Sequence, residues 1–515
     1  MSEPMKKSPN RSLLLLLGVV AWLYLTSFVP PNVPIFQGDS SPIFLHEAVR
    51  MLHGQTIYKD FSELILPGTQ FVFWGLFKLF GVRAWTANAM FILLGTCLAW
   101  SGVSIARHVL EGRLVYLPSV LFLGFAFATE RDPTHHWYST LAVMAALVAV
   151  IPERSAWRLM VAGALCGLAT LFTQTRGPAA ILGIALFLLW ERHQKKESWR
   201  HLMKAQVSLW LPFLVTTLVA IAYLIERAGF QQLFLCTVTF PFKYFRLWYW
   251  NTPQVYLSEV PALSWPLQLP AVGMWLSMHV LIPLVYLLFL ARWWRVAKSH
   301  PTEPWDRPML LTLVGLCLFL SQATSLSWLR LCSVSLPALI VLTWLVRSPG
   351  RVLEFFRRLL WGVGAAAMIA HPVIAQTDWH AYLDTPTGRE VFLDPDVYEK
   401  FRWVGEHTRP GDYFYQASDC NLYYLLDLRN PTRLAFITAS GYTGAHEVQD
   451  VVAGLETSQV RYVLWSVWLD LPYPGRPQQF DAARLSPIRE YLHTRYHLVR
   501  NFGDPDYEQV WERNP

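Results

Sequence analysis

The sequence predicts a polytopic α-helical membrane protein, about 11 transmembrane helices closed by a C-terminal α/β domain outside the membrane. Three observations carry this. Roughly eleven stretches are apolar for about 16 to 23 residues each, near the length a helix needs to cross hydrocarbon. Lys and Arg concentrate in every second connecting loop. From about Asp378 the composition turns polar, and helix-like and strand-like runs alternate to Pro515.

The apolar stretches lie near 12–30, 83–106, 114–130, 137–152, 156–173, 176–191, 205–225, 270–292, 308–324, 328–346 and 356–375. Counted from an N-terminus carrying Lys6, Lys7 and Arg11, the alternate loops hold Arg107 and Arg113, Arg154 and Arg158, then Arg192 to Lys204. They continue with Arg292 to Arg307 and Arg347 to Arg358. By the positive-inside rule these loops and the N-terminus face the cytoplasm, and the C-terminal region lies outside the cytoplasmic (inner) membrane. Segment 67–81 is also apolar, but it holds Lys78 and three glycines. Counting it as a span would invert the charge bias of every later loop, so it reads as interfacial or re-entrant. The first stretch has the basic flank and apolar core of a signal peptide. Its long apolar run and the lack of a small-x-small site make it an uncleaved anchor.

The formal net charge of +7 resides largely in the cytoplasmic loops. Basic loops beside an anionic membrane account for it without a nucleic-acid partner. Of six cysteines, Cys97, Cys166, Cys317 and Cys332 fall in predicted spans, and Cys236 and Cys420 are far apart in sequence, which argues against a disulfide framework. No phosphate-binding loop, dinucleotide fingerprint or Cys-x-x-Cys is present, which argues against an ATP-driven pump or a redox enzyme.

The chain divides into a transmembrane module, 1–376, with long outer loops at 31–82 and 226–269, and a soluble α/β domain, 377–515. A tail of this size can bury a core of its own. Chemistry is expected on the outer loops. Asp39, in Gly38-Asp39-Ser40-Ser41-Pro42, opens the first of them, and a carboxylate at the mouth of a helical bundle is a candidate catalytic group. It is equally placed to cap an amphipathic helix running Pro42 to His53.

The second outward loop holds Glu130, Arg131, Asp132, His135, His136, Trp137 and Tyr138. Asp132 can orient a sugar hydroxyl or the acceptor, or simply start the turn before Pro133. Glu130, His135 and His136 offer ligands for a divalent metal cation, yet the spacing matches no tight ligand signature, and a headgroup-layer placement explains them as well. No cofactor is otherwise implied. Outward cations are few, and include Lys59, Arg176, Lys243 and Arg246. Each can neutralise a lipid phosphate, or snorkel beside an interfacial aromatic belt. Trp137, Tyr138 and Trp248 are candidate sugar or acceptor contacts, with belt anchoring as the alternative.

These motifs resemble the first outer loop of the GT-C glycosyltransferases, and most closely the protein O-mannosyltransferase and lipid A aminoarabinose transferase group. The residues are Gly38-Asp39, the stretch through His53, Gly54, Tyr58 and Asp60, then Leu66-Pro67-Gly68 and Phe80-Gly81. The resemblance implies inverting transfer of a sugar from a polyprenyl-phosphate donor to a lipid, glycan or protein acceptor. Asp39 stands in the place of the catalytic base, Asp132 in that of the second-loop acid, and Glu63 near an acid that relatives carry. Two elements depart from the family pattern: an Asp-Glu pair is here Asp39-Ser40, and a Lys-Pro-Pro element is Leu66-Pro67-Gly68. A transporter or flippase of lipid-linked sugars is the alternative reading. It would more often show internal repeats and mid-membrane charges, whereas the predicted spans are nearly free of acids. A scaffold whose tail binds envelope partners is a third reading.

Overall fold

The structure, a computed structural model, describes residues 9–38, 41–247, 272–273, 276–297, 304–323, 327–471, 480–503 and 507–515. Asp39 and Trp248 lie outside the described residues, as do the side chain of Arg246 and the second half of the predicted loop 226–269.

The chain opens with α1 (Pro9–Ser27), then α2 (Ser41–Leu52), α3 (Gly68–Phe80), α4 (Thr86–Ala106) and α5 (Leu117–Phe122), which a π-helical turn extends to Phe127. There follow α6 (His135–Val150), α7 (Ala156–Phe172), α8 (Arg176–Lys195) and α9 (Trp199–Ala228). Later apolar helices cover Ile282–Val296, Asp306–Leu320, Ser335–Leu345 and Arg351–Thr377. Helix thus lies within each predicted apolar stretch. Among the described residues, four helical segments, α4, α9, Met278–Val296 and Arg351–Thr377, are long and apolar enough to cross a membrane. Others are cut short by local geometry, as where 328–346 divides into Trp328–Cys332 and Ser335–Leu345.

Small residues let these helices approach closely. A Cβ at Gly163 in α7 would lie 2.0 Å from the Leu209 carbonyl of α9, and one at Gly183 in α8 would lie 2.5 Å from the Val314 Cα. The outer helices turn apolar faces away from the protein, with Val219 of α9 66% exposed and Ile369 65% exposed. Water does not solvate such a continuous apolar surface favourably, so lipid is its fitting solvent. The thirteen residues of α3 extend only about 20 Å, too short for the roughly 30 Å of hydrocarbon. Its Phe73 and Phe77 are buried, while Leu79 and Phe80 are exposed.

The C-terminal region begins with the hairpin β3 (Ala381–Thr385) and β4 (Gly388–Phe392); an earlier two-residue pair, β1 (Phe28–Val29) and β2 (Val33–Pro34), precedes α2. A four-stranded sheet follows, in order β5-β6-β8-β7, from β5 (Phe414–Gln416), β6 (Tyr462–Ser466), β7 (Tyr496–Phe502) and β8 (Glu508–Arg513). β5 and β6 run parallel, joined through the helices Asn421–Leu426 and Ala445–Thr457. Helices Pro395–His407 and Ser486–Arg495 complete the α/β pattern. One apolar cluster joins this region to the first outer loop, with Phe44, Phe73 and Phe77 packed among Phe401, Tyr423 and Leu426. Main-chain bonding repeats the link, since Phe36 N donates to Val391 O at 2.8 Å.

Candidate active site

Helix α2 is buried on almost every side, although it carries His46, Glu47 and Arg50. Buried charge must be partnered or neutralised, and each of the three shows how. Gln70 Nε2 from α3 donates to Glu47 Oε2 at 2.8 Å and to Glu63 Oε2 at 3.3 Å. Glu63 also accepts from the Leu64 and Ile65 amides at 2.5 and 3.1 Å. The two carboxyls thus meet at one amide nitrogen in a buried site, where like charges repel and a proton on one of them is favoured. Burial, then the Glu63 charge, holds Glu47 well above the carboxylate range. Burial also raises Glu63, but its contacts with Glu47, two amides and Gln70 oppose the rise. Glu47 is therefore the proton carrier.

His46 stacks on Tyr423 with ring centroids 4.4 Å apart. Burial, and then Arg50, depresses its pKa well below 6.5, so it is neutral. Arg50 donates to the Thr432 carbonyl at 3.0 Å and to Gln55 Oε1 at 2.6 Å, and lies over Phe61. Burial pulls it down to about 10, which leaves it charged at neutral pH.

The N-terminus of α2 is held from a distant loop. Both Asp132 oxygens accept from Ser41 N, at 2.9 and 2.7 Å. A carboxylate here satisfies an orphan amide and meets the positive end of the helix dipole. It also fixes the chain two residues after Asp39. Beside this clasp, Phe44 meets the His135 ring edge-on at 5.3 Å, and His135 and His136 lie 3.9 Å apart.

Arg176, first residue of α8, is 1% exposed. Its Nη2 donates to Ser333 Oγ and to the Arg330 carbonyl at 3.4 Å, while Nε has no partner among the described residues. Arg330, His135 and His136 are its electrostatic neighbours, and the Arg330 guanidinium lies over Phe245. The mouth thus gathers two guanidiniums and two imidazoles beside the N-terminal turn of α2.

The other predicted residues are placed as follows. Lys59 sits exposed on a turn and Lys243 exposed on Phe240–Lys243; neither joins the Arg176 cluster. Trp137 is fully enclosed between Phe122 and Phe127, which makes its ring a core element. Tyr138 stacks on Phe172 at 5.1 Å, with its hydroxyl unpartnered among the described residues. Glu130 is half-buried. Among the described residues no group of three His, Cys, Asp or Glu gathers to hold a metal, so no ligand set is assigned and no step below passes through a metal. All six cysteines are free. Sequence reasoning missed Glu47, Gln70 and Arg330. In the sequence Glu47 is one more charge on the helix predicted from Pro42 to His53, and nothing in one sequence marks it as enclosed.

Residues 66–219 match the family model of dolichyl-phosphate-mannose-protein mannosyltransferases. Over nearly its whole length the chain superimposes on ArnT from Cupriavidus metallidurans, crystallised bound to undecaprenyl phosphate. The identity is 12%, the coverage 98% of each chain and the TM-score 0.59. The fold is that of the GT-C glycosyltransferases. The apo oligosaccharyltransferase of Archaeoglobus fulgidus is a second GT-C likeness, with 11% identity over 99% of this chain and 75% of that one, and a TM-score of 0.53. The same archaeal enzyme, AglB, solved with an inhibitory peptide and a dolichol-phosphate, gives 0.50 at 10% identity, covering 98% of this chain and 74% of that one. No curated protein matches the chain in sequence. In this GT-C frame, the family-model match begins just before α3 and runs through the Asp132 loop and Arg176 into α9.

Proposed function

We propose that the protein is an inverting glycosyltransferase that moves a sugar from a polyprenyl-phosphate donor to an acceptor at the outer face of the cytoplasmic membrane. The observation that carries this reading is Arg176. A guanidinium buried among neutral acceptors and a second cation lacks its counter-charge among the described residues, and a phosphate ester supplies one in a geometry that arginine matches. ArnT was crystallised with such a lipid phosphate.

In this reading Asp39 takes the proton from the acceptor hydroxyl as its oxygen attacks the anomeric carbon. The bond from that carbon to the phosphate oxygen breaks on the opposite face, and the lipid phosphate leaves with the electron pair toward Arg176 and Arg330. Asp132 acts as a positioning residue, because its carboxylate is engaged by Ser41 N. The frame is eleven crossings, an inside N-terminus and a 377–515 domain outside.

The test is transfer of radiolabelled sugar from a polyprenyl-phosphate donor to envelope extract, by wild type and Asp39→Asn in proteoliposomes. Loss of about 10²-fold or more in the variant is expected. Near-normal transfer removes Asp39 from its role, and label that crosses the bilayer with its linkage unchanged makes the protein a flippase.

A further inference from the structure

A cleft of about 660 Å³ opens in the C-terminal region, within the range of small-ligand pockets. It lies past the carboxyl ends of the parallel strands β5 and β6, between the residues that follow each, Ser418 and Asp419 on one side and Trp468 and Leu469 on the other. Ends of adjacent parallel strands whose chains diverge form natural ligand crevices. One wall is aromatic: Trp468 and Tyr507 stack at 5.4 Å and 26°, and both are half-buried. Polar residues also line the cleft, among them Asp419, Thr438 and Ser440. The Lys400–Glu508 ion pair, 2.7 Å long, also lines the cleft.

Flat aromatic faces beside a rim of acceptors fit a ring that is apolar on its C–H face and polar at its edge, as a pyranose is. An extended peptide fits less well. It would bind by adding a strand, but the free edge of β5 is already taken by the protein's own chain: Phe414 N donates to Arg429 O, and Ile437 N donates to Ala417 O.

One wall of the cleft leads along the chain to the segment Phe240–Leu247. That wall, at Phe436 to Ser440, runs directly into Gly441, where a Cβ would lie 2.7 Å from Leu247, and into Tyr442, edge-on to Phe240 at 5.0 Å. The neighbouring Ser62 N donates to Arg433 O at 2.9 Å. We propose that this cleft binds a carbohydrate chain, and that the chain is the acceptor. The second half of this statement rests on the glycosyltransferase reading; the first does not.

Full-length protein in lipid nanodiscs, without donor, is titrated with chitotetraose, cellotetraose, maltotetraose and a glucosamine tetramer by saturation-transfer NMR. Saturable binding of at least one is expected. Trp468→Ala and Tyr507→Ala should weaken it about 10-fold, with Trp468→Phe close to wild type and Trp379→Ala, elsewhere on the region, unchanged. Binding by none of the four, or binding that survives both alanine variants, overturns the site. If sugar binds but wild type transfers nothing, the enzyme reading fails and the cleft stands. If transfer occurs and Trp468→Ala leaves the KM for acceptor unchanged, the cleft is not the acceptor site.

Discussion

The two ends of α8 handle buried charge in opposite ways. Near its C-terminus, Glu191 accepts from Arg154 Nε at 3.1 Å, from Arg154 Nη2 and from Lys195 at 2.6 Å, and Arg154 also reaches Asp306 at 2.9 Å. Each of these four charges has an opposite one in contact. At the N-terminus, Arg176 is more deeply buried, yet its hydrogen-bond partners among the described residues are a hydroxyl and a carbonyl. In the proposed reading the contrast separates a network that holds helices together from one built to meet an anion, since an uncompensated buried charge costs stability unless a ligand meets it.

The comparison breaks most directly at the paired end. Arg154→Met leaves Glu191 and Asp306 without their shared cation and should cost about 3 kcal/mol of stability, read by thermal unfolding in detergent, with transfer per folded molecule unchanged. Equal stability would make the network ornamental. At the other end, Arg176→Met should leave the melting temperature near wild type or raise it, while transfer falls about 10²-fold. Loss of folding instead of activity would make Arg176 structural.

Smaller effects sharpen the picture around α2. Asp132→Asn removes one acceptor from the Ser41 amide and the favourable charge at the helix N-terminus, for about 1 kcal/mol. If the clasp positions the Asp39 segment, kcat falls while donor KM holds; a change in KM alone would point to ligand contact.

The smallest effect is in pH dependence. Glu47 is raised in the folded protein by burial and by Glu63, so the folded state keeps a proton that the unfolded chain releases near its ordinary value of 4.5. Its stabilising contribution is complete below that value and declines as pH rises above it. Glu47→Gln imitates the protonated form, so its melting temperature should fall less steeply than that of wild type above pH 4.5. Parallel curves would remove the shared proton from the account.

Hydrophobic length and loop charge made the helices legible, because both depend on local composition. The alternation of strand-like and helix-like runs likewise exposed the α/β character of the tail. What composition hid was contact between distant segments. Asp132 reads as a loop acid in sequence, but its partner is 91 residues away. Glu47 lies on a helix with Phe44, Leu45, Ala48 and Val49, and only the arrival of α3 and the C-terminal region encloses it. Trp137 looked like a belt or sugar-platform residue because it follows an outer loop, whereas Phe122 and Phe127 close over it. Arg330 was overlooked because it lies inside an apolar stretch whose helix breaks at Ser333.

The most direct test of the unmatched charge at the mouth is equilibrium binding of undecaprenyl phosphate to nanodisc-embedded wild type and Arg176→Met. The account predicts saturable binding by wild type that weakens at least about 10-fold in the variant. Equal affinity of the two proteins would contradict it and leave Arg176 as a helix-packing residue.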